Sequence, residues 1–137
     1  MRFFNKKYIK KCTLNINSKI KDVITNLNQS SMQIAIINSS GGNLLGVITD
    51  GDIRRGLLRG LDLNSKISSL IKKNPMVVEK GTPLKTVEYL MKTKTLLHLP
   101  VIDKNYVTIG LYSLNDYETN EKISNPVVIM AGGYGKR

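Results

Sequence analysis

The sequence predicts a mixed α/β (α+β) fold built from two copies of one strand–helix–strand–strand–helix unit. The first observation is a repeated segment: residues 46–52 read Gly-Val-Ile-Thr-Asp-Gly-Asp, and residues 110–116 read Gly-Leu-Tyr-Ser-Leu-Asn-Asp. Both copies contain glycine, two apolar residues, a hydroxyl residue, two further residues and aspartate, 64 positions apart. The second observation is that similar apolar patterns precede both copies. A fixed period of this kind indicates a repeated structural unit.

The matching patterns upstream extend the repeat over most of the chain. At the same spacing, Ile20, Lys21, Val23 and Leu27 match Leu84, Lys85, Val87 and Met91. Residues 35–38 match residues 100–103 after a slip of one position. We therefore predict a first repeat with a basic lead-in over residues 1–61 and a second repeat with its connector over residues 62–122. Residues 123–137 are expected to begin a separate segment.

In the first half, the order of elements follows from apolar spacing and turn residues. Residues 12–16 alternate as a short strand does, and Ser18 is the predicted N-cap of a helix with a 3-4-3 apolar spacing. Continuous apolar runs predict strands at residues 34–37 and 44–48. A helix is expected over residues 50–59, with Gly60 as its C-terminal glycine.

The second half repeats this order. We predict strands at residues 76–78, 97–102 and 107–112, and a last helix over about residues 114–121. Between the first two strands lies a helix with Thr82 as cap and Pro83 at its first position. Its buried stripe is expected to comprise Leu84, Val87, Leu90 and Met91. In the connector, Ile67, Leu70 and Ile71 predict a short amphipathic turn.

Composition excludes several classes of protein. The single Cys12 rules out a disulfide framework and suits a reducing compartment. No apolar run approaches 18 residues and the first residues do not form a signal peptide, so we predict a cytoplasmic protein without a membrane segment. One histidine and one cysteine leave neither a zinc site nor a Ser/His/Asp set, and His98 is expected to be a packed side chain.

The charge is strongly basic, with 21 Lys and Arg against 10 Asp and Glu, a net charge of +11. Residues 1–21 carry seven basic side chains and no acidic one, which would attract a polyanion. Aromatic residues make up only 6% of the chain and are not interleaved with the basic ones as a stacking platform requires. A solvated lysine-rich surface is therefore favoured over a nucleic-acid interface.

The repeated motif carries the candidate chemistry, and two interpretations of it remain open. Thr49 with Asp52, and Ser113 with Asp116, fit a capping box, which stabilises a helix without any ligand. Alternatively, the helix N-terminus and the hydroxyl suit a phosphate, while the aspartate is an acceptor for the two hydroxyls of a ribose. Apolar edges of neighbouring strands could then enclose a base. This second interpretation describes a nucleotide site without catalytic residues.

The doubled motif and the element order over about residues 8–120 resemble the tandem cystathionine-β-synthase-type (CBS) domain pair, or Bateman module. The resemblance implies a pseudo-twofold pair of domains with two clefts. Such clefts commonly bind adenine nucleotides and less often S-adenosylmethionine. Pairs of this family also tend to dimerise.

By this resemblance, Thr49 and Ser113 would contact phosphate or ribose, and Asp52 and Asp116 the ribose hydroxyls. The base pockets would be walled by Ile34 and Ala35 in one cleft and by Leu99 and Pro100 in the other.

The two copies of the motif are not equivalent. Arg54 and Arg55 follow Asp52, whereas a tyrosine and a glutamate follow Asp116. We therefore expect the first cleft to favour phosphate-rich ligands and the second to be weak or empty.

The C-terminal residues carry a second resemblance. Residues 128–137 are similar to the opening signature of sugar-phosphate nucleotidyltransferases, in which a glycine loop receives the nucleoside triphosphate. Here that loop would contain Gly132, Gly133 and Gly135, and Arg137 would hold phosphates. Because the chain ends at Arg137, the resemblance implies a longer enzyme, and these 137 residues are not expected to be catalytic.

The sequence thus favours a regulatory module that senses AMP, ADP or ATP and requires no cofactor. It would form a homodimer and act on its own C-terminal nucleotidyltransferase domain. Three alternatives remain open: a ligand-free dimerisation scaffold, an enzyme working through the glycine loop, and polyanion binding through residues 1–21.

Overall fold

In the computed structural model, which describes residues 1–114, eight strands form two four-stranded sheets. The first part of the chain forms β1 (Arg2–Asn5), α1 (Lys6–Ile9), β2 (Thr13–Asn15), α2 (Ile20–Ser30), β3 (Ile34–Asn38), β4 (Leu44–Thr49) and α3 (Asp50–Leu58). It continues through β5 (Lys72–Lys73), β6 (Val78–Glu79), α4 (Leu84–Thr93), β7 (His98–Ile102) and β8 (Thr108–Ser113). Short 3-10 turns lie at Lys10–Cys12 and Ile67–Ser69.

The two sheets have the same topology. One has the strand order β5-β4-β3-β2 and the other β1-β8-β7-β6, with antiparallel central strands and one parallel edge strand in each. The remaining edge strand of each sheet lies outside its repeat: β1 precedes the first repeat but pairs with β8, and β5 precedes the second but pairs with β4. The predicted mixed fold with two repeated units is confirmed. The predicted last helix, residues 114–121, extends beyond the described residues.

Strand register corrects one detail of the predicted repeat. Ile34 pairs with Thr49 and His98 with Ser113, and both β3 and β7 carry a bulge at the equivalent place near their ends. The offset therefore stays at 64 residues throughout, and the predicted slip of one residue is wrong. The structural counterpart of Ala35 is Leu99, because both strands contain the same bulge and neither gains a residue relative to the other.

Both predicted N-caps before the amphipathic helices are also wrong by one residue. Lys19, not Ser18, caps α2, because its backbone N–H donates to Asp22 Oδ2 at 2.8 Å. Pro83, not Thr82, precedes the first residue of α4. The Thr82 hydroxyl donates instead to the Glu79 carbonyl at 2.7 Å and closes the preceding turn.

Each helix packs its apolar face on its own sheet. On the first sheet, α2 contributes Ile20, Val23 and Leu27, and on the second, α4 contributes Val87 and Met91. Leu84 was predicted in this stripe but is 53% exposed, so the buried stripe of α4 begins at Val87, one turn later than the stripe of α2, which begins at Ile20.

A third cluster joins the two repeats into one unit. It combines Phe4 and Leu111 of the second sheet with Ile34 and Ile36 of the first. The turns of the two hairpins also meet, because the Leu44 N–H donates to the Tyr106 carbonyl at 2.9 Å. The cleft described below lies between the two halves that this shared core holds together.

Candidate functional site

A cleft of about 450 Å³ lies between the two repeats, within the size range of small-molecule sites. The first repeat lines it with Gln33, Ile34, Val47, Thr49, Asp50, Gly51, Asp52 and Arg55. The second repeat contributes residues 95–98, immediately before and at the start of β7. The cleft thus combines the end of β4, the first turn of α3 and one edge of the partner repeat.

The first copy of the motif forms the wall of this cleft as a capping box. Thr49 has an extended backbone and ends β4, and α3 begins at the next residue. Asp52 Oδ2 accepts hydrogen bonds from both the backbone N–H and the hydroxyl of Thr49, each at 2.9 Å. Arg55 Nη2 donates to the other oxygen, Oδ1, at 2.6 Å. The first copy of the motif is therefore a capping box, and this capping box needs no ligand.

The hydrogen bonds of Asp52 show what a ligand would have to displace. A carboxylate offers about four acceptor positions, and three donors from Thr49 and Arg55 already occupy Asp52. A diol that donates two hydrogen bonds therefore requires one of these donors to leave. The Arg55 side chain is 68% exposed, and exposed ion pairs contribute at most about 1 kcal/mol, so it is the easiest to displace.

The hydroxyl residues of the two copies of the motif differ in burial, since Thr49 is half-buried. Ser113, the counterpart of Thr49, is fully buried and lies in register between Arg2 of β1 and His98 of β7. On the first sheet the corresponding edge strand, β5, pairs only with Gly46 and Val47 and ends before Thr49. Asp116 lies outside the described residues.

The predicted site residues therefore separate into distinct environments. Ile34, Thr49, Asp52 and Arg55 come together in the cleft. Ala35 and Leu99 are fully buried in the helix–sheet cores of their own repeats, and Pro100 is buried within β7. Arg54 is exposed on α3 and is absent from the lining of this cleft. The glycine-loop residues Gly132, Gly133, Gly135 and Arg137 lie outside the described residues.

Residues 95–98 were not predicted from the sequence. They are the structural counterparts of residues 31–34 at the offset of 64, and Gln33 and Ile34 of that segment also line the cleft. Ser31 and Thr95 share a left-handed backbone, with φ of 56° and 53°. The sequence repeat could have predicted these residues, since a pseudo-twofold axis brings equivalent segments of the two repeats together.

His98 contributes a neutral ring to the cleft. It is half-buried, and burial lowers its pKa from 6.5 to about 4. The imidazole is therefore uncharged near neutral pH, and the cationic group of the described lining is the Arg55 guanidinium.

Burial of His98 predicts a loss of stability in mild acid. The unfolded chain takes up a proton near pH 6.5, whereas the folded protein resists protonation down to about pH 4, so the unfolded state binds more protons between these values. The free energy of unfolding should therefore fall as the pH decreases through this window, by about 1 kcal/mol between pH 7.5 and 5.5. Urea unfolding at both pH values measures this change, and a His98→Gln variant should lose most of it. An equal pH dependence in the variant would contradict the assignment to His98.

This chain is similar to known proteins over most of its length. The profile of the CBS domain matches residues 5–59 and again residues 67–117. A CBS domain-containing protein of Dictyostelium discoideum is 30% identical over 116 residues, which cover 76% of this chain and 79% of that protein. A solved CBS domain protein from Pyrobaculum aerophilum, complexed with AMP, superposes with a TM-score of 0.67 at 22% identity, covering 74% of this chain and 78% of that one.

Other relatives are longer. The arabinose 5-phosphate isomerase GutQ of Salmonella typhi is 27% identical over 101 residues, which cover 73% of this chain but 31% of the isomerase. The chain likewise spans 30–31% of relatives from Rickettsia prowazekii and Helicobacter pylori.

Within residues 1–114, no helix combines the length and apolar character needed to span a bilayer. Nor do three or more His, Cys, Asp or Glu side chains of that part gather where they could hold a metal ion.

Proposed function

Since this chain belongs to the CBS-domain family and carries two CBS domains in tandem, we propose that it is a regulatory module that binds an adenine nucleotide between them. One observation carries the proposal: a single cleft unites an open helix N-terminus, a hydroxyl–aspartate pair, an arginine and apolar side chains. The helix N-terminus and the arginine match a phosphate, the hydroxyl–aspartate pair matches a ribose, and the apolar side chains match a base. The AMP bound by the similar Pyrobaculum aerophilum protein supports the choice of base.

In the proposed complex, the ribose diol donates to Asp52 and the phosphate next to the ribose lies near the N-terminus of α3. Asp50 and Asp52 in the first turn place negative charge there, which opposes an anion. Arg55 supplies the compensating charge once it leaves Asp52. The base lies against apolar side chains of both repeats, among them Ile34, Val47 and Leu97.

We expect one nucleotide per chain. The half-buried Thr49, which lines the cleft, supports binding at the first motif, whereas the burial of Ser113 opposes binding at the second motif. The contribution of Asp116, Leu99 and Pro100 to a second cleft therefore remains a prediction that a binding stoichiometry would test.

The proposal extends to the protein that contains this module. Nucleotide binding would shift the arrangement of the two domains and so bias an attached catalytic domain, which requires different affinities for two states. The resemblance of residues 128–137 favours a sugar-phosphate nucleotidyltransferase, and the similarity to GutQ supports a sugar-phosphate enzyme in general. A cytoplasmic location and a homodimer belong to the same proposal.

A ligand-free dimerisation scaffold is the second candidate. The complete capping box favours it, because Thr49 and Asp52 satisfy each other without a ligand. Apolar surface on α3 also favours it, since Leu57 is 40% exposed and Leu58 is 83% exposed.

Isothermal titration and thermal shift with AMP, ADP, ATP, S-adenosylmethionine and GTP test the proposal. An adenine nucleotide at about 100 times its Kd should add about 2.7 kcal/mol of stability. Asp52→Asn should weaken its binding roughly 10–100-fold, because each hydrogen bond to a charged group contributes about 1.5–3 kcal/mol. Asp22→Asn is the matched control, since Asp22 caps α2 in the same way but lies outside the cleft.

The outcomes separate the two candidates. Adenine-specific binding that Asp52→Asn weakens and Asp22→Asn preserves would support the nucleotide module. Failure of every nucleotide to bind a folded protein that sediments as a dimer would support the scaffold.

A further inference from the structure

A second cavity adjoins the cleft and shares its wall. This groove, of about 510 Å³, is lined by Asp52, Arg55, Leu58, Arg59, Ser69, Leu70 and Ile71. Asp52 and Arg55 line both cavities, so their ion pair forms the partition between the cleft and the groove. The Arg55 side chain is 68% exposed, so it can leave Asp52 without moving buried groups.

The groove is cationic along the α3 side. Arg55 lies in the last turn of α3, and Arg59 is the residue that caps its C-terminus. The Arg59 N–H donates to the Arg55 carbonyl at 3.2 Å, so the two arginines are one helical turn apart, about 6 Å along the helix axis. Within residues 1–114 the Arg59 guanidinium forms no ion pair, so its charge is not neutralised there. Ser69 uses its hydroxyl to donate to the Lys66 carbonyl at 3.2 Å, which leaves the two arginines as the anion-binding groups that we assign to the groove.

We propose that the groove is a subsite for the outer phosphates of a nucleoside di- or triphosphate, with Arg59 as its selective residue. This inference rests on the proposed function, because the nucleoside part of the ligand would occupy the cleft. In this complex the ribose diol replaces Arg55 as the hydrogen-bond donor to Asp52. Arg55 then forms an ion pair with the phosphate that lies between the cleft and the groove. A single phosphate reaches Arg55 but not Arg59 one turn further on, whereas a chain of phosphates reaches both.

Equilibrium titration of the whole chain with AMP, ADP and ATP, in EDTA and at one ionic strength, tests this assignment. Wild-type protein should bind ATP about 10-fold or more tightly than AMP, with ADP between them. Arg59→Ala should remove about 10-fold of ATP affinity, equivalent to about 1.4 kcal/mol, and change AMP affinity less than 2-fold. Inorganic triphosphate added as a competitor should weaken ATP binding more than AMP binding.

Arg54→Ala is the matched control for charge. Arg54→Ala removes one positive charge from α3 itself, as Arg59→Ala removes one from its C-terminal cap, but Arg54 lines neither cavity. Both affinities should therefore stay within 2-fold of wild type. Equal losses in the two variants, or an ATP preference that survives Arg59→Ala, would overturn the subsite. Equal binding of AMP and ATP by the wild-type protein would overturn the subsite alone. If no nucleotide binds the wild-type protein, the proposed function and the subsite both fail.

Discussion

Replacing Phe4 by alanine is expected to lower the free energy of unfolding by about 3–5 kcal/mol, a large part of the about 5–15 kcal/mol available to a domain. Phe4 is 2% exposed and belongs to the core cluster that joins the two repeats. Its ring meets that of Tyr8 edge-on, with centroids 6.2 Å apart, and the Arg2 guanidinium lies 5.2 Å above it. Truncation would leave a cavity at a point where neither repeat can close it alone.

Phe3→Ala is the matched control, because Phe3 precedes Phe4 in β1 and faces the opposite side of the strand. Phe3 is 48% exposed, and its ring lies against that of Tyr112, with centroids 5.0 Å apart. We expect its removal to cost about 1 kcal/mol. Urea unfolding followed by circular dichroism measures both variants. Similar losses for Phe3 and Phe4 would contradict the assignment of β1 as a core strand.

The same measurement tests whether the two CBS repeats unfold together. Because Phe4 precedes the first repeat but packs on the sheet of the second, its loss should lower the midpoint of one common transition. Two separated transitions would indicate that the shared core does not couple the repeats.

The strand β1 was not predicted from the sequence. Its residues, Arg-Phe-Phe-Asn, have no alternation that marks a strand, and their partners in β8 lie more than 100 residues away. The two-residue strand β5 is a similar case, since Lys72 and Lys73 pair with Val47 and Gly46 of β4. Both edge strands arise from tertiary packing of the pair, which local periodicity does not encode.

By contrast, β3, β4 and α3 were predictable because each has a strong local signal. A continuous apolar run forms β3, and a hydroxyl with a carboxylate three residues later begins α3. The same local signal located Thr49 and Asp52 in the candidate site. It also explains why the motif alone could not separate a helix cap from a ligand site.

The walls of the cleft were less predictable. In β3 four consecutive residues are buried, so apolar character does not distinguish Ile34, which reaches the cleft, from Ala35, which lies in the helix–sheet core. Residues 95–98 enter the cleft only because the second repeat is turned against the first. That arrangement depends on packing between distant segments and not on any pattern within residues 95–98.

Replacing Gly56 by valine is expected to cost about 3 kcal/mol, because α3 lies too close to the connector for any side chain at this position. A Cβ on Gly56 would stand 2.2 Å from Leu70 Cδ2 and 3.2 Å from Leu61 Cδ1. Leu70 is 6% exposed and belongs to the core of the first repeat, so it has little room to move. Overpacking of this kind costs about 1–3 kcal/mol, and the further methyl groups of valine place the estimate at the upper end.

Gly51→Val on the same helix is the matched control. A Cβ on Gly51 would meet the end of the exposed Arg55 side chain, at 3.3 Å from Nη1, and Thr49 Oγ1 at 3.7 Å. Arg55 can move into solvent at the cost of an exposed ion pair, so stability should change by less than about 1 kcal/mol. Gly51 lines the cleft, however, so the added side chain should weaken nucleotide binding while the protein remains folded.

Urea unfolding and titration of the two variants should therefore give opposite results: lost stability in Gly56→Val, and lost binding with retained stability in Gly51→Val. Equal stability of the two variants would mean that α3 can move away from Leu70, and the rigid placement of Thr49 and Asp52 at the start of α3 would have to be abandoned.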